Sequence, residues 1–364
     1  MKYIFVAAIL PFLLYSCNIK EVRKKSVVID LGKKQEIALS DIVTQVRILP
    51  LIVKEANLFG NIRDICFMGD TVYVLDDITA SISAFDVNTG QLTRQVCHRG
   101  SGPNEYVNPT ALASDADNLY LLDMPTRHII VYDRELNPVE TVSLSFSALD
   151  FIATGGGFFL QNLIRQDTLN KVVCTDKKGA VVESYLPFPD IKDGPGDYQG
   201  GAGKRFVKTV EGKIFFTEAF SNHIFVFDHT GSALFRRLDF IHHNPPSNVV
   251  VNHIPDLPEQ SYALCEHFFV CGESFIFSFL KDMERYYCFY KPSEGVQKVG
   301  RVKFENDGLP FFPRWQQGET LVGVCYYEDI KDRINMNEYT GMQLDTDQLE
   351  DELNLLLFYD IAPL

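Results

Sequence analysis

The sequence lacks the short motifs by which many enzyme families are recognised. Its 364 residues contain no HExxH segment, no Walker loop and no dinucleotide-binding glycine pattern. Ser101 lies in Arg-Gly-Ser-Gly-Pro, which differs from the Gly-x-Ser-x-Gly elbow that presents the nucleophile of many hydrolases. These absences argue against catalysis but do not decide the matter, because carboxylates can also converge on a site from distant segments.

Paired-cysteine motifs are also absent. None of the eight cysteines belongs to a CxxC pair, so zinc clusters and thioredoxin-type redox chemistry have no support. Without Cys17, which has another predicted role, seven cysteines remain, and an odd number cannot pair completely. Four of them lie in apolar runs, where cysteine behaves as a small hydrophobic residue: Cys66, Cys174, Cys288 and Cys325. One disulfide, between Cys265 and Cys271, stays open.

The apolar run at the N-terminus, residues 4–14, is too short to span a membrane as a mature helix. It follows the positive Lys2 and precedes Ser16 and Cys17, which is the order of a secretion signal. Leu-Tyr-Ser-Cys at residues 14–17 also looks like a bacterial lipobox. We therefore predict a signal peptide over residues 1–16, lipidation of Cys17 and a tether over residues 17–25. An ordinary secretion signal with a chance cysteine is the alternative.

Positive charge is scarce along the chain. Its 34 Lys and Arg residues oppose 48 Asp and Glu residues, which gives a formal net charge of −14 at neutral pH. Such a chain has no general electrostatic attraction for nucleic acid or for anionic lipid. We therefore expect no nucleic-acid partner and a membrane link only through the N-terminal lipid.

What the sequence does contain is a repeated phrase. Residues 71–86, 118–133 and 213–228 each hold two short runs rich in Val, Ile, Tyr and Phe, with turn residues between them. This pattern is typical of paired antiparallel strands. The final acid recurs after 47 residues, from Asp86 to Asp133, and then after 95, at Asp228. Because 95 is about twice 47, one more copy is expected between Asp133 and Asp228, and residues 170–176 provide it.

Two weaker copies, at residues 285–295 and 353–360, bring the number of units to six. Six all-strand units with this period predict a six-bladed β-propeller, whose closure leaves no long unpaired edge. We assign the propeller to residues 26–364 and expect residues 27–31 to close the last blade by pairing with residues 355–359. The surplus length fits insertions at residues 242–260 and at residues 335–353, the second containing a short helix.

Acidic residues end the strands of the repeated phrase. They are Asp76, Asp123 and Glu218 after the first strand, and Asp86, Asp133 and Asp228 after the second. A carboxylate in this position can accept hydrogen bonds from the free N–H groups of a turn. We therefore interpret these acids as turn-forming rather than catalytic.

Two links between units share a Gly-Pro-x-acid-Tyr motif, at residues 102–106 and 194–198. Because strands alternate in direction within a blade, such links and the loops between second and third strands lie on one face, here named the link face. Loops that converge on a propeller channel commonly bind ligands. The candidate ligand-binding residues are Arg99, Glu105, Tyr106, Arg127, Asp197, Tyr198, Arg205 and His223. The alternative is structural, with glycine at positive φ and tyrosine packed on the next blade.

Four features together resemble a known family. They are the lipobox, the segment SDIVTQVRILPL at residues 40–51, the loop HRGSGPNEY at residues 98–106, and six repeats with a helix-bearing last blade. They are similar to those of six-bladed β-propeller lipoproteins of gut-type Gram-negative bacteria, relatives in shape of NHL-repeat propellers. The resemblance covers residues 17–364, although that family usually has glycine where this chain has Asn104. It implies the architecture and a location in the cell envelope, with the outer membrane favoured, and little chemistry.

Two functions fit these observations. The first is a lipid-anchored binding or scaffold protein that presents the link face to a glycan, a peptide or an envelope protein. The second is a propeller lyase or hydrolase that uses channel carboxylates such as Glu105, Asp123 and Glu218, with or without a divalent cation held by them. No His or Cys residues stand at a metal-ligand spacing, so neither a metal site nor a cofactor is assigned. Binding is the preferred hypothesis.

Overall fold

The structure is a computed structural model that describes residues 25–53, 59–162, 169–188, 204–217, 222–228, 231–244, 262–303, 308–341, 349 and 353–363. Three strands precede the first blade. The opening strands are β1 (Ser26–Ile29), β2 (Gln35–Ile37) and β3 (Val43–Pro50). The predicted signal peptide, Cys17 and nearly all of the predicted tether lie outside the described residues.

The remaining strands build the blades of a propeller in chain order. Blades 1 to 3 contain β4 (Ile62–Met68), β5 (Thr71–Asp76), β6 (Ile82–Asp86), β7 (Leu92–Val96), β8 (Pro109–Ser114), β9 (Leu119–Asp123), β10 (His128–Tyr132), β11 (Pro138–Ser143), β12 (Ala148–Thr154), β13 (Gly157–Asn162), β14 (Val172–Asp176) and β15 (Val181–Tyr185). Blades 4 to 6 contain β16 (Phe206–Lys208), β17 (Ile214–Thr217), β18 (His223–Asp228), β19 (Gly231–Phe240), β20 (Leu264–Cys271), β21 (Ser274–Lys281), β22 (Glu284–Lys291), β23 (Gly295–Val302), β24 (Pro313–Gln317), β25 (Thr320–Tyr326) and β26 (Asn354–Ile361).

The first strand of each blade lies innermost and lines the channel. Strand β4 contacts β8 and β24, β12 contacts β8 and β16, and β16 contacts β20. The strands of the described residues thus form six blades around one axis, and the predicted six-bladed β-propeller is confirmed.

The N-terminus closes this ring with a different strand from the one predicted. Strand β3 lies antiparallel to β26 as the fourth strand of blade 6, with Ile48 opposite Leu357. Strand β1 instead pairs in parallel with β19 of blade 4, with Val27 opposite Leu238, and β2 pairs in parallel with β23 of blade 5. Closure by an N-terminal strand is confirmed, but its assignment to residues 27–31 is wrong. Eight-residue β3 matches the length of β26, whereas β1 has four residues.

The repeated phrase supplies the second and third strands, and the acids Asp86 and Asp133 at the ends of third strands form turns as predicted. The Asp86 carboxylate accepts hydrogen bonds from the N–H groups of Thr89 (2.8 Å) and Asn88 (3.0 Å), which hold its pKa below the usual value. Asp176 accepts the N–H of Lys178 in the same way (2.9 Å). Each acid therefore fixes the hairpin that leads to the outermost strand.

Buried apolar side chains fill the interfaces between blades. Tyr73 and Leu121 belong to the cluster between blades 1 and 2, and Phe289 and Leu357 to the cluster between blades 5 and 6. Within the described residues, six such clusters occupy the six interfaces. Removing one large side chain from a core of this kind costs about 3–5 kcal/mol. Packing between blades therefore holds the ring together.

The helix predicted near the C-terminus is present and short. Helix α1 (Met336–Thr340) begins after Asn335, whose side chain accepts the N–H of Asn337, and ends at Gly341 with φ +64°. It lies in the insertion between β25 and β26. Of the other predicted insertion, residues 245–260 fall outside the described residues.

The disulfide left open between Cys265 and Cys271 does not form. Both cysteines are free thiols in strand β20. They stand six positions apart along an extended strand, which separates their Cα atoms by roughly 20 Å. A disulfide requires Cα atoms within about 7 Å of each other.

Candidate functional site

The inner strands begin at the link face, and five of them carry a bulge there. The register shifts between Ile62 and Asp64 in β4 and between Pro313 and Trp315 in β24, with similar shifts in β8, β12 and β20. A bulge inserts one residue and redirects the side chains next to it. The inserted residues include Arg63, Thr110, Glu266 and Arg314. Polar and charged groups therefore collect at the link-face mouth of the channel.

One cation, Lys204, crosses this end of the channel. It precedes β16 in blade 4, and its Nζ lies 2.7 Å from Asp64 Oδ2 in blade 1 and 3.2 Å from Asp150 Oδ1 in blade 3. The same Nζ donates a hydrogen bond to the carbonyl of Leu112 in blade 2. Lys204 therefore ties four blades together, and its three N–H donors have three acceptors.

The two acids are held by the fold as well. Asp64 accepts hydrogen bonds from the N–H of Leu112 (2.7 Å) and the indole Nε1 of Trp315 (2.9 Å), and Asp150 accepts the N–H of Arg205 (2.7 Å). Burial alone lowers the pKa of Lys204, but Asp150 and Asp64 outweigh it and raise that pKa. Burial raises the pKa of Asp64, and Lys204 opposes this shift. With these partners, the cluster closes the channel and is not itself a ligand site.

A cavity of about 280 Å³ extends along the channel from Lys204 to the ends of the inner strands on the opposite face. All six blades contribute to its wall, whose apolar part includes Ile65, Leu112, Phe151, Phe206, Phe268 and Trp315. The amide of Gln316, which also lines it, accepts the N–H of Val270 through Oε1 (3.1 Å). Apart from Arg314, the hydrogen-bonding groups of this wall include Lys204 and Gln316, whose partners lie within the protein.

A second ion pair lies at the mouth in blade 5. Arg285 donates two hydrogen bonds to the carboxylate of Glu266, at 2.5 and 2.6 Å, and Arg205 Nη1 donates to the Glu266 carbonyl at 2.9 Å. Burial would raise the pKa of Glu266, but His267 and Arg285 lower it to about 2. The Arg285 guanidinium also lies 3.9 Å from the ring centre of Phe312 in the next link. Glu266 is therefore ionised and fully engaged by the protein.

Arg314 at the mouth has a different environment. Its guanidinium stacks 4.5 Å from the ring centre of Trp315. Among the described residues it makes no hydrogen bond and no ion pair. The side chain is partly buried, and desolvation lowers its pKa despite the attraction of Asp64 nearby. Arg314 is thus a partly desolvated cation whose N–H donors have no acceptor among the described residues and stay accessible from the channel mouth.

A large cleft on the link face begins at Arg314. It has a volume of about 900 Å³ and lies where blade 6 meets blade 1. Aromatic and aliphatic groups form part of its wall, including the half-exposed Phe312 and Tyr326. Its charged groups are Arg314, Arg333, Glu328, Asp329 and Asp332. A cleft of this size, with apolar surface and a few polar groups, has the properties of a small-molecule site.

The first predicted link proves to be internally bonded. Tyr106 is fully buried; its hydroxyl donates to the carbonyl of Ala80 (2.7 Å) and accepts the N–H of His98 (3.1 Å). Burial raises the Tyr106 pKa. Glu105 accepts the N–H of Gly102 (2.6 Å). The structure therefore favours the structural alternative for Tyr106, which packs between blades 1 and 2 as that alternative expected.

The glycines of this link have a different role from the one predicted. Gly100 and Gly102 do not adopt positive φ, and a Cβ at Gly100 would collide with the Glu105 carboxylate. The left-handed residue is Asn104, with φ +61°, at the position where the resembling family usually has glycine. Asn104 can adopt this conformation and also accepts a hydrogen bond from Thr141 (2.9 Å). A side chain at Gly100 would therefore require the exposed Glu105 carboxylate to move from its present position.

The other candidates are scattered over the link face. Arg99 and Arg127 are exposed, Arg205 is buried beneath the mouth, and His223 is partly buried beside Phe225. Asp197 and Tyr198 lie outside the described residues, so their predicted roles stay predictions. The structure does not place Arg99, Arg127 and His223 among the residues that line the cleft.

The carboxylates suggested for a channel cation are not gathered in one place. Asp123 is buried at the end of β9, where it accepts the N–H groups of Asn108 (2.8 Å) and Val107 (3.0 Å). Glu105 has the separate partner described above, and Glu218 lies outside the described residues. Within the described ranges, no group of three or more His, Cys, Asp or Glu side chains has a geometry that could hold a metal ion.

Sequence reasoning missed Asp64, Asp150 and Arg314, which define the mouth. It searched the links and loops, whereas these residues stand at the starts of inner strands. A signal was present, because a charged residue follows the link at a similar place in several units, as in the segments NIRDIC and FPRWQQ. An alignment of the first strands would have revealed it.

Fold and mouth together define a six-bladed β-propeller with a ligand-sized cleft on its link face. A family model described as a domain of unknown function, DUF4934, matches residues 26–357, and the chain belongs to that family. No curated protein matches it in sequence. In the described part of the chain, no helix has the length and apolar character needed to cross a membrane.

Two solved structures show the same fold. One, a candidate exported protein from Bacteroides fragilis, is 16% identical, with a TM-score of 0.72 over 93% of this chain and 99% of its own. The other, a member of the DUF4221 family from Bacteroides vulgatus, is 10% identical, with a TM-score of 0.55 over 88% of this chain and 97% of its own. At these identities the likeness concerns the fold alone.

Proposed function

We propose that this chain is an exported, lipid-anchored binding protein of the Gram-negative envelope, whose ligand occupies the link-face cleft. The observation that carries the binding role is the 900 Å³ cleft at the junction of blades 6 and 1, with its exposed aromatic rings and charged rim. Aromatic faces beside carboxylates and guanidinium groups suit a glycan or a peptide. An envelope protein could present the same chemistry through a peptide segment.

The location rests on separate observations. The predicted signal peptide and the lipobox ending at Cys17 support export and anchoring, with the outer membrane favoured. The Bacteroides fragilis protein of the same fold is described as a candidate exported protein, which agrees with a place outside the cytoplasm. No nucleic acid is expected as a partner of a chain with a formal net charge of −14.

The test uses the chain from residue 18 onward, which retains every described residue. Its melting temperature is measured against a panel of oligosaccharides and peptides, because a ligand at about 100 times its dissociation constant stabilises the protein by roughly 2.7 kcal/mol. For any ligand found, Phe312→Ala should weaken binding roughly fivefold through loss of an aromatic contact. Val182→Ala, at an exposed position on β15 of blade 3, is the matched control. Equal binding by wild type and Phe312→Ala would place the site elsewhere.

A further inference from the structure

Four arginines reach the link-face mouth of the channel, and three of them have protein partners. Arg63 donates to the carbonyl of Thr110 (3.1 Å) and Arg205 to the carbonyl of Glu266 (2.9 Å). Arg285 forms its paired hydrogen bonds with the Glu266 carboxylate. Arg314 differs, because none of the described residues accepts a hydrogen bond from its guanidinium.

Arg314 is partly desolvated in the protein without ligand. The side chain lies against Trp315, and the nearby carboxylate of Asp64 is taken up by Lys204, Leu112 and the Trp315 indole. Contact with an aromatic face compensates only part of what a cation loses on leaving water. A site that retains such a charge in the empty protein is prepared for an anion.

We propose that Arg314 anchors a carboxylate group of the ligand in the link-face cleft, an inference that rests on the function proposed above. A guanidinium presents a planar fork of N–H donors that matches the two oxygens of a carboxylate. Arg314 lines both the cleft and the channel cavity, so the anchored group would lie where the two meet.

The charges around the cleft favour a carboxylate over a phosphate. In the described part of the lining, Arg314 and Arg333 accompany three acids, Glu328, Asp329 and Asp332, which gives an excess of negative charge. A doubly charged phosphate would be repelled by these acids. A monoanion can bind Arg314 while hydroxyl or ammonium groups of the same ligand donate to Glu328 and Asp332, which are exposed. Acidic sugars and peptides with a free C-terminus both carry this combination.

The test compares acids with their neutral derivatives. The probes are uronic-acid oligosaccharides with their methyl esters, and tripeptides with their C-terminal amides, each titrated calorimetrically into the chain from residue 18 onward. At least one acid should bind, and its ester or amide should bind roughly 10- to 100-fold more weakly, as expected for loss of a charge-assisted pair. The series that binds, uronic-acid oligosaccharides or tripeptides, identifies the source of the carboxylate.

Variants assign the effect to one side chain. Arg314→Gln should remove the preference for the acid, and Arg314→Lys should restore part of it, because lysine keeps the charge but not the fork. Arg94→Gln makes the same charge change at an exposed position on outer strand β7 and should keep the full preference.

Each other outcome overturns a defined part of the proposal. Equal binding of an acid and its neutral derivative, weakened by Phe312→Ala but not by Arg314→Gln, overturns the anchor and leaves the cleft as the binding site. Binding that neither substitution alters overturns both. Failure of every acid and every neutral derivative to bind also overturns both.

Discussion

Lys204 and Arg314 are cations at the same end of the channel with opposite surroundings. Lys204 has three acceptors from three other blades, at Asp64, Asp150 and Leu112. Among the described residues, Arg314 has the face of Trp315 as a partner and no hydrogen-bond acceptor. The donors of Lys204 therefore have their acceptors within the protein, whereas the donors of Arg314 are available to a ligand.

The difference shows how to separate structural from functional polar residues on this propeller. A buried polar group that has all its partners within the fold stabilises the fold. A polar group that the fold leaves without a partner lowers stability and needs another reason to be present. By this criterion the buried Tyr106 of the first link, whose hydroxyl has two partners within the fold, belongs with Lys204 rather than with Arg314.

The largest effect that this comparison predicts is at Tyr106. Replacing Tyr106 with alanine should lower the free energy of unfolding by about 4 kcal/mol, because a large buried ring is lost from the interface of blades 1 and 2. Tyr106→Phe should cost only about 1 kcal/mol, for the hydrogen bond to Ala80. Urea denaturation measures both. A Tyr106→Ala protein of normal stability that binds its ligand poorly would return this link to the candidate site.

The next effect concerns Lys204. Lys204→Met should lower the free energy of unfolding by roughly 3 kcal/mol, because Asp64 and Asp150 would face each other without their shared cation. Lys208→Met, an exposed position on β16, is the matched control and should change stability by less than about 0.5 kcal/mol. Equal denaturation midpoints for the two variants would show that Lys204 and Arg314 do not differ in the way described.

A smaller loss of stability is expected at low pH. The pKa of Glu266 is about 2 in the folded protein and about 4.3 in an unfolded chain. A depressed folded pKa contributes stability above the unfolded value, and that stability is lost as pH falls through the folded pKa. Protonation of Glu266 between about pH 4.5 and 2 should therefore lower the free energy of unfolding by about 2 kcal/mol. Glu266→Gln should flatten the measured stability in that range, and an unchanged slope would contradict the assignment.

The fold could be predicted in outline because it depends on patterns that repeat. Alternating strands and acids such as Asp86 and Asp133 recur with a fixed period, and each has the local role that its sequence context gives it. The strand that closes the ring was harder to predict, because any apolar N-terminal strand fits the expectation of a strand added to the last blade. The choice of β3 over β1 depends on strand length and on the path past blades 4 and 5.

The site could not be predicted in the same way. Tyr106 and Glu105 stand in a conspicuous motif, but the motif is conspicuous because it shapes a link. Arg314 stands at a strand bulge that no sequence motif marks, and its importance lies in the absence of an acceptor among the described residues. Whether a side chain finds a partner across the channel depends on tertiary contacts between blades, as the pairing of Lys204 with Asp64 shows. No local sequence pattern contains that information.

The most direct test of the central claim compares two neighbouring arginines in the protein without ligand. Arg285→Gln and Arg314→Gln make the same chemical change, and urea denaturation gives the free energy of unfolding of each. Arg285→Gln should cost roughly 2–3 kcal/mol, because it leaves the Glu266 carboxylate without its paired donor. The free energy of unfolding of Arg314→Gln should lie within about 1 kcal/mol of the wild-type value or above it. A loss at Arg314 as large as that at Arg285 would mean that Arg314 holds the fold together, and would contradict its assignment to the ligand.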